Sequence, residues 1–155
     1  MVSLSASVAF HARTSPGRVA LIYGPERITY AALNERLQAV AGRLAAQGIG
    51  KGDVVAVLMK NSAAFIEIAL AASHAGAVFL PVNFRLAAPE VGYILEHAGA
   101  KLLFVDEELL ESADAFGAKI VVGPGAQADS RRIAGGAVAL RDAATPDPRD
   151  LFRLM

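Results

Sequence analysis

Residues 54–83 read VVAVLMKNSAAFIEIALAASHAGAVFLPVN, and the succession of apolar and polar blocks in this stretch decides the fold. The apolar run 54–59 has no period-two alternation, which is typical of a strand covered on both faces in a parallel sheet. Residues 62–76 have the length and composition of a buried helix that ends at a glycine. A second short apolar run, 77–82, follows. The stretch therefore predicts a βαβ unit.

The same stretch approaches the length of a membrane span over residues 63–82. It carries Glu67 and His74 inside, however, and Pro81 near its end. Ionisable side chains are costly in lipid, so a buried helix followed by a buried strand is the better interpretation. No transmembrane segment is expected.

Composition limits the class of protein. A chain of 155 residues is enough for one domain with a sizeable core, and a formal net charge of +0 disfavours a nucleic-acid partner. The absence of cysteine excludes disulfides and thiolate chemistry and agrees with a cytoplasmic location. Residues 1–13 lack the basic start and apolar core of a signal peptide.

Periodicity and turn residues divide the chain into four stretches. Residues 1–18 should contain a leading helix and 19–30 a β-hairpin. Residues 31–122 should form an α/β layer, and 123–155 an irregular excursion that ends at the start of another strand. Within these stretches the further predicted helices are 3–13, 29–47, 89–99 and 106–116, with a turn of helix at 141–144, and the further strands are 101–105, 120–122 and 137–140.

Strands that alternate with helices in this way predict an α/β fold. We expect a doubly wound, mainly parallel sheet flanked by helices, with the hairpin of residues 19–30 standing outside that sheet.

Few residues have the pattern of a catalytic or metal site. His11, His74 and His97 fall in three different predicted helices without paired-ligand spacing, so each is interpreted as a packed or half-exposed helix residue. The G-x-G of residues 48–50 lies after a helix and before a strand. Phosphate-binding loops have the reverse order, so this one is interpreted as a structural turn.

Two charged groups have simple structural explanations. Arg131-Arg132 is interpreted as part of a solvated loop. The second group is acidic and comprises Asp106, Glu107, Glu108 and Glu111. It is interpreted as a helix N-cap followed by an acidic first turn rather than as a general acid–base pair. No residue is therefore assigned a catalytic, cofactor-binding or metal-binding role.

Short motifs in the first half of the chain resemble those of a known family. Residues 28–33, ITYAAL, resemble the T-Y-x-E-L opening of the adenylate-forming (ANL) superfamily, with Ala32 in place of the acid. Residues 48–57, GIGKGDVVAV, look like its G-V-x-x-G-D-x-V-A segment. Residues 74–83, HAGAVFLPVN, are similar to its x-x-A-G-A-x-x-x-P-x-N/D segment.

The residues that follow sharpen the resemblance. Phe84-Arg85-Leu86 with Pro89-Glu90 matches the variant frequent among acyl-CoA synthetases. The resemblance implies the N-terminal portion of an AMP-dependent acyl-CoA synthetase (AMP-dependent synthetase/ligase), with residues 1–155 as the first part of its large AMP-binding domain. The parent enzyme would convert a carboxylic acid, ATP and coenzyme A into acyl-CoA, AMP and pyrophosphate by way of acyl-AMP, with Mg²⁺ as cofactor.

The resemblance also implies where the chemistry lies. In the family, the segment similar to residues 150–155 leads into the loop that holds the ATP phosphates, and the adenine, metal and catalytic-lysine motifs come later. No family site residue therefore transfers to this chain, which is expected to be inactive and without a cofactor by itself. The resemblance at Asn83 to Leu86 slightly favours a fatty or aryl acid over an amino acid as the substrate, which would place the enzyme in fatty acid metabolism.

A protein of a different class remains open, namely a self-standing Rossmann-like or flavodoxin-like module that binds a small molecule without catalysis. Such folds place ligands at the carboxyl ends of parallel strands, here at residues 60–62 and 83–85. Asn61 and Ser62 are interpreted as helix caps and Arg85 as a loop charge. If the chain is instead part of a larger enzyme, apolar surface left uncovered should make it self-associate.

Overall fold

Strands and helices alternate along the chain in the computed structural model, which describes residues 3–128, 130–147 and 149–150. In chain order the elements are α1 (Leu4–Thr14), β1 (Val19–Tyr23), β2 (Glu26–Thr29), α2 (Tyr30–Ala46), β3 (Val54–Leu58), α3 (Ala63–Ala75), β4 (Val78–Pro81), α4 (Ala88–His97), β5 (Ala100–Asp106), a 3₁₀ helix (Glu107–Ala113), β6 (Lys119–Val122), α5 (Pro124–Ala128) and α6 (Arg131–Ala134).

The central sheet is parallel and has the strand order β4-β3-β5-β6. From β3 the chain crosses through α3 to β4 on one side, and then through α4 to β5 on the other side of β3. The direction of winding therefore reverses between β3 and β5. The antiparallel pair β1-β2 forms a separate hairpin. These features confirm the predicted α/β fold with an N-terminal hairpin.

Strand β3 is buried on both faces, which explains its apolar run without alternation. Val55 and Val57 pack into a cluster with side chains of α2 and α3. Ala56 and Leu58 point the other way and pack with α4. All four side chains are fully buried. The sheet is thus the middle of three layers, as a parallel sheet requires.

Side-chain hydroxyls cap the N-termini of α2 and α3. The Thr29 hydroxyl accepts a hydrogen bond from the Ala32 N–H at 3.3 Å, and the Ser62 hydroxyl accepts one from the Phe65 N–H at 3.2 Å. Ser62, rather than Asn61, is therefore the N-cap of α3. Gly76 ends α3 with a φ of +73°, a conformation that disfavours residues with a Cβ atom. Among the residues with described structure, no helix combines the length and apolar character needed to cross a membrane.

The prediction is partly wrong in the region after β5. The helix predicted over 106–116 is a 3₁₀ helix that covers only residues 107–113, whereas the strand predicted at 120–122 is present as β6. The excursion contains α5 and α6, so Arg131 and Arg132 lie on a short helix, where both are exposed, and not in a loop. The predicted start of a strand at 151–155 lies outside the described residues.

Residues 137–140 do not form the predicted strand, and 141–144 do not form a turn of helix. The physical reason is that these residues lie beside the helix α2 and not beside another strand. The segment crosses α2, where the Leu140 N–H donates to the Gln38 carbonyl at 3.0 Å, instead of running beside another strand. An apolar run becomes a strand only where a ladder partner is available.

Gly42 allows this segment to approach α2. A Cβ atom at Gly42 would overlap the carbonyl oxygen of Val138, whereas one at Gly92 in α4 would meet nothing within 4 Å. We expect Gly42→Ala to lower the free energy of unfolding by about 1–3 kcal/mol, because the backbone at Val138 must move. The matched control Gly92→Ala should raise it by up to about 1 kcal/mol through helix propensity.

Urea unfolding followed by circular dichroism measures both changes. Equal gains in stability for Gly42→Ala and Gly92→Ala would show that residues 138–140 do not lie against α2 in solution.

Candidate functional site

The carboxyl edge of the parallel sheet is the candidate site, because doubly wound sheets bind ligands outside the point where the winding reverses. That point lies here between the ends of β3 and β5. The edge brings together the loops 60–62 and 83–85, which were the sequence-based candidates, and the acidic residues 106–108. Contacts between these three segments show that they meet at one place.

Asp106 closes the crevice between β3 and β5. It is fully buried, and its Oδ2 accepts a hydrogen bond from the backbone N–H of Lys60 at 2.8 Å. Its Oδ1 accepts one from the Nε2 of Gln127 in α5 at 2.9 Å. Asp106 occupies the predicted N-cap position of the 3₁₀ helix, which has the predicted acidic first turn, but its side chain makes no capping hydrogen bond to that helix. The carboxylate instead takes the backbone donor that a bound anion would otherwise meet.

A cluster of cations around an aromatic ring lies further out on the same edge. The Lys60 ammonium contacts the Glu108 carboxylate at 2.8 Å and lies 6.0 Å from the ring centre of Phe84. The Arg85 guanidinium lies 4.8 Å from the same ring centre. The backbone N–H of Arg85 donates to the side-chain oxygen of Asn83 at 3.0 Å. Such a cluster can attract a planar or anionic ligand, although an exposed pair contributes at most about 1 kcal/mol.

The described residues do not fit a nucleotide with a magnesium ion. Asp106 is already bonded to two protein donors and Glu108 to Lys60. Within the described ranges, no three His, Asp or Glu side chains lie close enough together to hold a metal ion. The loop 59–62 between β3 and α3 contains no glycine, so its backbone is not built for the close approach that phosphate cradles need.

The three histidines lie in separate environments. His74 is 4% exposed, and its Nε2 is 2.9 Å from the Leu140 carbonyl oxygen. His11 contacts the ring of Tyr30 at 4.8 Å between ring centres, and His97 stacks on Tyr93 at 5.5 Å. The three histidines therefore lie on three different helices, as their spacing in the sequence indicated. His11 and His97 pack against tyrosine rings, and His74 is a hydrogen-bond partner.

A buried ion pair was missed by the sequence analysis. Glu67 in α3 is fully buried, and its Oε1 is 3.2 Å from the guanidinium of Arg36 in α2. Arg36 also lies 3.7 Å from the carboxylate of Glu26 in the hairpin. Burial raises the pKa of the Glu67 carboxyl, against the opposing effects of Ser130 and Arg36.

Arg36 of α2 thus connects Glu67 of α3 with Glu26 of the hairpin. The signal in the sequence was an acid in the middle of an otherwise apolar helix, which requires a partner when it is buried. Nothing in the sequence pattern identified that partner as Arg36.

Comparison with known proteins gives consistent results. The profile of the AMP-binding enzyme family matches residues 8–155. A feruloyl-CoA synthase from an Amycolatopsis species is 41% identical over 69% of this chain, and the long-chain-fatty-acid–CoA ligase FadD13 of Mycobacterium tuberculosis is 40% identical over 79% of it. These matches span only 22% and 24% of the two relatives, respectively.

A solved structure extends the likeness to the whole chain. The N-terminal domain of FACL13 from M. tuberculosis superposes with a TM-score of 0.86 at 31% identity, covering 100% of this chain and 41% of that one. The described fold is therefore shared with less than half of that N-terminal domain.

The Asp106 cross-link generates a prediction about stability. Asp106→Ala leaves the Lys60 N–H and the Gln127 amide without their acceptor in a partly buried place, and should lower the free energy of unfolding by about 1–3 kcal/mol. The control Glu108→Ala removes an exposed ion pair at the same edge and should cost less than about 1 kcal/mol. Urea unfolding measures both. Equal costs for the two variants would contradict the cross-link.

Proposed function

The chain belongs to the AMP-binding enzyme family, and on that premise we propose that it is the N-terminal portion of an acyl-CoA ligase. The observation that carries the proposal is the match of the family profile to residues 8–155. The similarity to a feruloyl-CoA synthase and to a long-chain-fatty-acid–CoA ligase supports the acid–thiol class. The family resemblance seen in the sequence motifs is thereby confirmed.

The proposed overall reaction of the whole enzyme joins a carboxylic acid to coenzyme A at the expense of ATP, giving acyl-CoA, AMP and pyrophosphate. Its proposed cofactors are ATP, Mg²⁺ and coenzyme A, and its proposed location is the cytoplasm. One relative named above is a feruloyl-CoA synthase and the other a long-chain-fatty-acid–CoA ligase, so we propose a fatty or aryl acid as substrate.

We propose that this chain supplies scaffold rather than chemistry. The crevice where a doubly wound sheet would bind a ligand is bridged by Asp106, and both Asp106 and Glu108 at that edge are engaged with protein donors. Charge that develops on a phosphate needs positioned donors or a metal, and the described residues offer neither. No catalytic, cofactor-binding or metal-binding residue is therefore proposed within residues 1–155.

A second candidate function is a binding module that uses the carboxyl edge without catalysis. The observation that favours it is the cluster of Lys60 and Arg85 around the ring of Phe84. Its ligand would be a small anion or a planar anionic molecule, held on the outside of the closed crevice.

Calorimetric titration of the isolated 155-residue chain with ATP and Mg²⁺ separates the two functions. We expect the isolated chain not to bind ATP in this titration. In a separate activity assay with a fatty or aryl acid, ATP and coenzyme A, the isolated chain should form no acyl-CoA, while the longer protein that carries this sequence should form it. Turnover by the isolated chain would overturn the scaffold proposal.

Binding of ATP to the isolated chain would favour the second function if Arg85→Ala abolished it. The control Arg18→Ala, an exposed cation that precedes β1, should leave that binding unchanged.

We also propose that the isolated chain self-associates. Ile22 on the hairpin is 57% exposed and Ile66 on α3 is 41% exposed, and both line one open concavity of about 350 Å³ together with Leu21 and Phe65. Exposed apolar surface of this kind is typical of interfaces.

Light scattering at increasing protein concentration should show species heavier than the monomer, and Ile22→Lys with Ile66→Lys should reduce them. As a control, Val138→Lys changes an exposed apolar residue outside the concavity. A monomer at all concentrations would refute the self-association.

A further inference from the structure

Residues 138–145 form a segment that we call the strap, because it crosses the outside of α2 and α3 without regular secondary structure. Its attachment to α2 uses Gln38 twice. The Gln38 carbonyl accepts from the Leu140 N–H at 3.0 Å, and the Gln38 side-chain oxygen accepts from the Arg141 guanidinium at 3.3 Å. The side chain of Leu140 also packs against the core cluster between the sheet and these helices.

The attachment to α3 depends on His74, which also bonds the strap twice. Its ring Nε2 lies 2.9 Å from the Leu140 carbonyl oxygen, and its backbone carbonyl accepts from the Ala144 N–H at 2.8 Å. A carbonyl can only accept a hydrogen bond, so the Nε2 must carry a hydrogen. The neutral ring already satisfies this contact, and a second proton is not needed for it.

The surroundings of the ring favour its neutral form. The ring is 4% exposed, and α2 presents the uncharged residues Gln38 and Gly42 to the strap. The charged groups near it are Arg141 and Asp142 of the strap and, at the end of α3, Lys51 beside Gly76. Burial lowers the pKa of His74 from its ordinary 6.5, while the Leu140 carbonyl and Asp142 oppose that change.

We propose that His74 is a pH-sensitive latch that holds the strap on α2 and α3 while its ring is neutral. A second proton, on Nδ1, leaves the hydrogen bond to the Leu140 carbonyl in place but puts a charge on a residue that is 4% exposed, and the cost of burying that charge favours release of the strap. Release would uncover the apolar surface that Leu140 covers and the bare backbone of α2 at Gly42. The strap therefore has two states, docked and released, and the protonation of His74 shifts the equilibrium between them.

The direction of the pH dependence follows from the protonation of the two states. When the strap is undocked, the ring is solvated and takes up a proton near its ordinary pKa of 6.5. The docked ring takes it up only at lower pH. Docking is therefore at full strength above 6.5 and weakens as the pH falls below it, by at most about tenfold per pH unit for one proton.

Hydrogen exchange of the wild-type chain, followed by NMR from about pH 7.5 to about pH 5, tests the latch. The protection factors of the Leu140 and Ala144 amides should fall by roughly threefold to thirtyfold across this range. The Phe104 amide in β5 serves as a reference for global unfolding and should not change in parallel.

His74→Gln is the matched variant, because an amide side chain can donate to the Leu140 carbonyl but does not titrate in this range. Its Leu140 and Ala144 protection should not depend on pH. An unchanged protection in the wild type, or the same fall in His74→Gln, would overturn the latch.

A second measurement does not depend on the variant. The nitrogen chemical shifts of the His74 ring should report a neutral ring with its hydrogen on Nε2 at about pH 7.5, and its protonation should coincide with the loss of protection. A ring that is already doubly protonated at that pH would equally overturn the proposal.

Discussion

The burial of β3 on both faces is the constraint on which the rest of the structure depends. Its side chains alternate between two apolar clusters, so a helical layer must lie on each side of the sheet. At the same time β3 pairs with β4 on one edge and β5 on the other. With both faces and both edges occupied, only the two ends of the strand remain for contacts with ligands, and the polar residues of interest follow the carboxyl end.

The contacts at that end support the proposal that this part of the enzyme is a scaffold. Asp106 holds the end of β5, the turn after β3 and α5 together through two hydrogen bonds. A buried carboxylate with two donors is stabilising for as long as both donors stay, and here each oxygen of Asp106 accepts one hydrogen bond. These two bonds fix the geometry of the edge.

The sequence was sufficient for features that depend on neighbours along the chain. The apolar runs, the cap at Ser62 and the glycine stop at Gly76 rest on local chemistry, and the structure has them at the predicted places. Asp106, Glu67 and the segment after α6 depend on partners that are distant in sequence. An acid after a strand serves a helix or a distant amide equally well by local rules, so the choice between these roles was not available before the fold was known.

The strand order has a consequence for how the chain acquires its structure. Strands β3 and β5 are neighbours in the sheet, yet α3, β4 and α4 lie between them in sequence. Closing so long a loop costs entropy before any pairing is gained, so the central pair forms late. During synthesis β3 therefore has one unpaired edge until β5 has emerged, and unpaired strand edges are prone to aggregation.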